Sequence, residues 1–220
     1  MNPKAIISWS GGKDCTLALW HARDKYDIGA LLTTVTREFD RISMHGVRVE
    51  LLRRQASSLG IPLTLVEIPY PCSNDIYERA MKDAWAESQH QGVANVICGD
   101  LFLEDVRRYR EERLFGKAAC VFPLWAQPTN EIARAFIALG FRAVLCCVDT
   151  QVLAADFAGR EYDEQLLRDL PAHIDPCGEH GEFHTFVYDG PSFKRPIAFA
   201  PGERVLRDGR FSYCDFLPLG

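Results

Sequence analysis

The chain has 220 residues, is 47% hydrophobic, and carries Lys+Arg 25 against Asp+Glu 30 for a formal net charge of -5. That length buries a full core for one α/β domain with a small appendage, and that composition excludes a disordered chain. The acidic balance argues against nucleic acid or an anionic membrane as partner and leaves a small molecule as the expected substrate.

Met1 to Trp9 run straight into a strand, with no basic leader or long apolar stretch, so a cytoplasmic protein is expected. Strand-like runs then recur at Ala5 to Trp9, Gly29 to Val35, Pro62 to Ile68, Val93 to Cys98, Ala119 to Pro123 and Ala143 to Val148. Stretches of helical period separate them. Cys15, Leu19, Ala22 and Tyr26 share one face, as do Val49, Leu52, Ala56 and Leu59, then Tyr77, Ala80, Met81 and Ala84, then Ile132, Ala135, Phe136 and Leu139. This βαβα rhythm predicts a parallel, Rossmann-like α/β sheet flanked by helices, with its site at the carboxyl ends of the strands near a topological switch point. Beyond about Gln151 come one short helix, Glu161 to Leu170, then Gly- and Pro-rich sequence and a hairpin over Arg204 to Phe216 that turns at Asp208-Gly209. Residues 1–150 are therefore expected as the main domain and 151–220 as a smaller α+β region.

The eight cysteines are scattered through apolar runs rather than set at scaffold spacing, and are expected reduced. Cys177 and His180 have a Cys-x-x-His spacing with His184 nearby, but no fourth partner follows, so no protein metal site is expected.

The chemistry concentrates where the first strand ends, at Ser10-Gly11-Gly12-Lys13-Asp14. Two glycines let backbone amides approach an anion, and the helix N-terminus and the Ser10 hydroxyl favour phosphate. Lys13 supplies a charge that can follow a leaving pyrophosphate. Asp14 either caps the helix or helps order magnesium. The string is neither of the common NTPase or dinucleotide fingerprints. It resembles the PP-loop of N-type ATP pyrophosphatases, which adenylate an oxygen of their substrate, release pyrophosphate, and let a nitrogen or sulfur nucleophile displace AMP. Cys15 stands where that loop usually has Ser.

A second match lies in Asp175-Pro176-Cys177-Gly178-Glu179-His180-Gly181-Glu182-Phe183-His184-Thr185-Phe186-Val187, which resembles the C-terminal signature of the diphthine-ammonia ligase family. Gly60-Ile61-Pro62-Leu63, Gly99-Asp100, Phe122-Pro123-Leu124-Trp125 and Asp189-Gly190-Pro191 extend the resemblance over nearly the whole chain. It implies an ATP-dependent ligase that adenylates a carboxylate and transfers ammonia to it. In that family the carboxylate sits on a modified histidine of translation elongation factor two. Asp100 to Glu111 is more similar to a bacterial branch, for which the acceptor would be another small-molecule or protein carboxylate.

The resemblance places ATP, with magnesium, against Ser8, Ser10, Gly11, Gly12, Lys13, Asp14, Cys15, Thr34, His45, Gly99 and Asp100. Asp100 sits at a strand's carboxyl end, fit for ribose or substrate, or alternatively caps the helix near Phe102. Glu179 and Glu182 can orient an amine or ammonium, or else cap loops in ordinary ion pairs; Glu182 joins Lys13 as an expected catalytic residue. Arg107, Glu179, Glu182 and Thr185 are the expected substrate contacts, while Arg107 and Arg110 can equally belong to a solvated, salt-bridged face. Two other readings stand beside the ligase: RNA thiolation, disfavoured by the acidic charge and the lack of Cys-x-x-Cys, and a nucleotide-binding regulator without turnover. Association as a homodimer is left open.

Overall fold

The computed structural model describes residues 2–220; Met1 lies outside the described residues. Lys4–Ser8 (β1) is a β-branched run whose Ala5, Ile6 and Ile7 are all buried, as befits a strand covered on both faces. It pairs in parallel with Asp27–Thr36 (β2) on one side and Asn95–Ile97 (β5) on the other. Leu63–Ile68 (β4) adds outside β2, and Cys120–Val121 (β6) outside β5. The parallel order β4-β2-β1-β5-β6 reverses between β1 and β5, which makes the gap above those two strands the switch point. Arg41–Ile42 (β3), too short to read from sequence, runs antiparallel to the end of β2. β4 takes one edge of β2 there, so β3 takes the other, which β1 has vacated after Ser8.

The helices follow the apolar periods. Lys13–Ala22 (α1), Val49–Leu59 (α2), Asn74–His90 (α3) and Thr129–Ala138 (α5) turn the expected faces inward, except that on α5 Ala135 is exposed and Ala133 is buried, and α2 stops at Gly60, whose φ of 72° suits a left-handed C-cap. Ile6, Leu32 and Val96 pack toward Met81 and Trp85 on one side of the sheet, while their neighbours Ile7, Leu31 and Ile97 join the larger core on the other. Glu104–Tyr109 (α4) passes directly into a π turn at Arg110–Leu114. No helix among the described residues is long and apolar enough to cross a membrane.

One strand departs from expectation. The Ala143 to Val148 run belongs to Arg142–Asp149 (β7), which joins a separate four-stranded antiparallel sheet rather than the parallel one. Its order is Phe183–Asp189 (β8), β7, Phe211–Pro218 (β10), Phe199–Arg207 (β9). β7 is buried on both faces, and two-sided burial removes the alternation that would have marked an antiparallel strand. Asp208 and Gly209 turn the β9–β10 hairpin with φ of 53° and 61°, as the Asp-Gly pair predicts. The short helix contracts to Glu164–Asp169 (α6), capped by Asp163.

Asp215 on β10 clamps the second sheet to the β3 hairpin. It accepts from Arg41 at 2.8 Å and from Arg48 at 3.0 and 2.6 Å. Burial alone would push its carboxyl up, but the two guanidiniums hold it down at about 2. Because the folded value lies below the unfolded ~3.9, the stabilisation is present above that pH and lost as pH falls toward the folded value. Asp215→Asn is expected to cost about 1–3 kcal/mol at neutral pH, and urea titrations should show the gap to wild type closing below pH ~4.

Candidate active site

The loop between β1 and α1 is built for close approach. Gly11 holds φ of 77°, and a Cβ there would sit 2.8 Å from Gln55 Oε1; a Cβ on Gly12 would lie 3.1 Å from the Thr185 carbonyl and 3.2 Å from the His45 ring. Gln55, fully buried on α2, anchors the turn: its amide donates to the carbonyls of Gly11 at 2.9 Å and Val187 at 2.6 Å and accepts from the Trp9 indole at 3.1 Å. Sequence reasoning missed it, although a neutral amide beside Leu52 and Ala56 on an apolar face was the available signal. The Val187 amide also donates to Gly11 O at 2.9 Å, and the Lys13 amide donates to Thr185 Oγ1 at 3.0 Å, so β8 is stitched to the loop. The Cys15 thiol, kept neutral by burial, donates to Gly12 O at 3.1 Å.

Lys13 is only 4% exposed. Its ammonium donates to Asp14 Oδ2 at 2.9 Å and to the Cys177 carbonyl, and lies 5.7 Å from the Tyr162 ring centre and 5.4 Å from that of Phe183. Burial pulls its pKa down, but Asp14, then Cys177 and Glu179, more than offset this and keep it charged. Tyr162, which the sequence did not flag, also donates to Pro176 O at 2.6 Å and so braces the signature loop.

The opposite wall follows β5. A Cβ on Gly99 would lie 2.7 Å from the Asp14 and Cys15 backbone, so a side chain there would displace α1. Asp100 Oδ2 lies 2.7 Å from Arg110 Nε, an ion pair without hydrogen-bond alignment, and Arg110 also donates to Ser8 Oγ at 3.3 Å. Arg107 is not brought to this wall, contrary to expectation. It stacks 4.8 Å over Phe122 and 4.6 Å over Trp125 and donates to Glu111 at 2.9 Å. Arg110, three residues on, turns instead to Asp100 and Ser8, so the two arginines part company at their side chains.

In the signature loop, Glu179 Oε1 accepts from the Leu101 amide at 2.8 Å. Burial, with Asp14 and Asp100 adding and the Leu101 bond opposing, pushes its carboxyl up to about 7. Glu182 is buried away from the loop's open face, with Oε1 accepting from the Asp175 amide at 3.1 Å and Oε2 unpartnered. It braces Asp175, whose carboxylate accepts from the Cys177 and Glu179 amides at 2.8 and 3.3 Å. The Cys177 thiol turns to Thr129 O. His45 stacks on His184 with centroids 4.4 Å apart, and burial takes both below the ordinary range, His184 to about 4.

These parts enclose a cavity of about 330 Å³, within the range of small-ligand sites. Ser8, Ser10, Gly12, Lys13, Asp14, Cys15, Thr34, His45, Gly99, Asp100, Glu179 and Thr185 all line it, joined by Arg110 and His184; Gly11, Arg107 and Glu182 do not. Among the described residues no three His, Cys, Asp or Glu side chains form a metal site by themselves. Asp14 Oδ1 is buried without any partner and Asp100 Oδ2 is held only by its ion pair with Arg110, and two carboxylate oxygens beside a phosphate site fit magnesium, which takes its other ligands from phosphates and water.

Glu179 and His184 titrate in opposite senses. A carboxyl raised to about 7 favours the folded state at low pH and loses that contribution as pH rises through the folded value. An imidazole lowered to about 4 favours it above its unfolded ~6.5 and loses that as pH falls. Glu179→Gln keeps the acceptor for Leu101 and removes only the first effect. Its Tm should therefore gain on wild type by up to a few degrees between about pH 5 and pH 7 in thermal scans.

Residues 3–115 match the family model described as Diphthamide synthase N-terminal domain, and residues 128–215 match Diphthamide synthase C-terminal domain. No curated protein matches the chain. Among solved structures, a predicted subunit of tRNA methyltransferase from Methanocaldococcus jannaschii is 14% identical over 90% of this chain and 100% of that one, with a TM-score of 0.41.

Proposed function

Since the chain belongs to the diphthamide synthase family, whose two domain models match most of it, we propose that it is an ATP-dependent amide-forming ligase that adenylates a carboxylate and passes it to ammonia or an amine. The observation that carries this reading is a buried, charged lysine at the first turn of α1, on a Gly-Gly loop at the switch point of a parallel sheet.

The residues divide the work. Ser10 and the amides at the start of α1 receive phosphate oxygens, with the Thr185 hydroxyl yielding the Lys13 amide to them. Arg110 approaches from the facing wall, and Thr34 and His45 border the space left for the nucleoside. Magnesium held by Asp14 and Asp100 would neutralise phosphate charge. A carboxylate oxygen of the acceptor attacks the α-phosphorus, and the bond to the α,β-bridging oxygen breaks. Lys13 exchanges Asp14 and the Cys177 carbonyl for the departing pyrophosphate. The nitrogen nucleophile then bonds to the acyl carbon, AMP leaves, and Glu179, titrating near neutrality, takes the nitrogen's proton. Glu182 acts one step back, by fixing Asp175 and with it the loop that presents Glu179. On this reading residues 1–150 supply most of the nucleotide half, and 151–220 contribute the signature loop and one wall of the acceptor half. A cytoplasmic setting is supported by eight cysteines that are all free.

With ATP, magnesium, ammonium and a panel of carboxylates, the wild type should release pyrophosphate and AMP, and Lys13→Ala should lower that rate about 10²–10³-fold. Cys15→Ser should retain it. Formation of ADP and phosphate instead would overturn the mechanism.

A further inference from the structure

A second cavity of about 1060 Å³ opens beside the first and shares Ile42, Ser43, Met44 and His184 with it. Its walls are the β3 hairpin, the Pro69 to Cys72 turn after β4, and the β9–β10 hairpin. Resting on the ligase reading, we propose that this cavity holds the body of the acceptor, a ring-bearing carboxylic acid with one further anionic group, whose reacting carboxyl passes His184 and Met44 into the first cavity to meet the α-phosphate.

Ring chemistry is set by the walls. Phe39 and Tyr70 are 41% and 60% exposed yet stand 5.2 Å apart, tilted at 55°, each on a loop tied down by its own contacts; the Tyr70 amide donates to Glu38 at 3.0 Å. Two large rings left open to solvent in one cavity form a surface for a third. Tyr213 adds its face from β10, with its hydroxyl donating to Met44 O at 3.2 Å.

Charge sets the remainder. Three arginines and three acids line the cavity, so its neutral sum does not suit a polyanion such as nucleic acid. Arg41 and Arg48 are both spent on Asp215. Arg207 has no ion pair or side-chain hydrogen bond among the described residues; its guanidinium lies 5.2 Å over Phe39 and 5.8 Å over Tyr213. One unpaired guanidinium held between two aromatic rings is a receptor for a single anionic substituent on a stacked ring. The volume, at the upper end of small-molecule sites, fits such a body and is small for a folded partner.

The test measures two things on the same protein: calorimetric binding of homophthalate, phenylacetate and adipate in the presence of ATP and magnesium, and pyrophosphate release with each. Homophthalate should bind most tightly. Arg207→Gln and Phe39→Leu should each weaken it about tenfold, the scale of one charge-assisted hydrogen bond or ring contact, while leaving ATP affinity and Tm unchanged. Arg207→Lys should recover only part. Both positions are exposed, so neither variant threatens the fold. Binding that ignores Arg207 and Phe39, equal binding of adipate, or stimulation by polypeptide acceptors alone would overturn the site. Ring-acid binding that depends on both residues without pyrophosphate release would uphold the site and sink the ligase reading, so the two failures are distinct.

Discussion

The structure turns on the cost of keeping the Lys13 ammonium inside. A bare buried charge is expensive, and it persists only where a carboxylate and further acceptors surround it. Asp14 alone, adjacent in sequence, would not suffice. The second oxygen comes from the Cys177 carbonyl, and the faces of Tyr162 and Phe183 close the shell, all contributed from beyond the first sheet. Meeting that requirement draws the signature loop and β8 onto the N-terminus of α1. Thr185 and Val187 are thereby in place to stitch the glycine turn, and Gln55 locks it from below. The site therefore lies between the two sheets because one side chain requires both.

How far the sequence anticipated this depends on the range of each signal. Ser10 to Asp14 could be read because the switch from strand to helix period and the Gly-Gly pair are local, and Asp208-Gly209 could be read for the same reason. The parallel sheet emerged from repeated short-range periods. β7 was placed in the wrong sheet because two-sided burial erases alternation, and pairing partners are set by contacts far along the chain. Arg107 was named as a substrate contact although spacing treats it and Arg110 alike, and what separates them is a set of distant partners, Asp100 and Ser8 for one and Phe122 and Trp125 for the other. Gln55 and Tyr162 act through partners more distant still: the amide on Gln55 and the carbonyl of Val187 are 132 residues apart.

The carboxylates around the site outnumber its cations. Asp14, Asp100 and Glu179 line the cavity with Lys13 and Arg110, Asp175 and Glu182 stand behind them, and Asp14 Oδ1 in the wall lacks a partner. Such an excess favours a ligand that arrives with positive charge of its own, either metal-bound nucleotide or ammonium, and it adds to the burial that raises Glu179 toward the pH at which a carboxylate can both accept and give up a proton. The two histidines stay neutral in spite of that excess: they are stacked and desolvated, and a charged imidazole would repel both its neighbour and Lys13.

The clamp at Asp215 has a bearing on the order in which the molecule comes together. Its bonds to Arg41 and Arg48 close loops of 174 and 167 residues, and β7 waits for β10 before its outer edge is paired. Contacts this distant form slowly, because loop closure comes before their reward. During synthesis the first sheet can assemble alone, but its lysine then has only Asp14 beside it, and the glycine turn lacks the strand that fixes it. Competence to hold a ligand therefore arrives late, with the signature loop and β8, so a half-made chain presents no working site to the nucleotides around it.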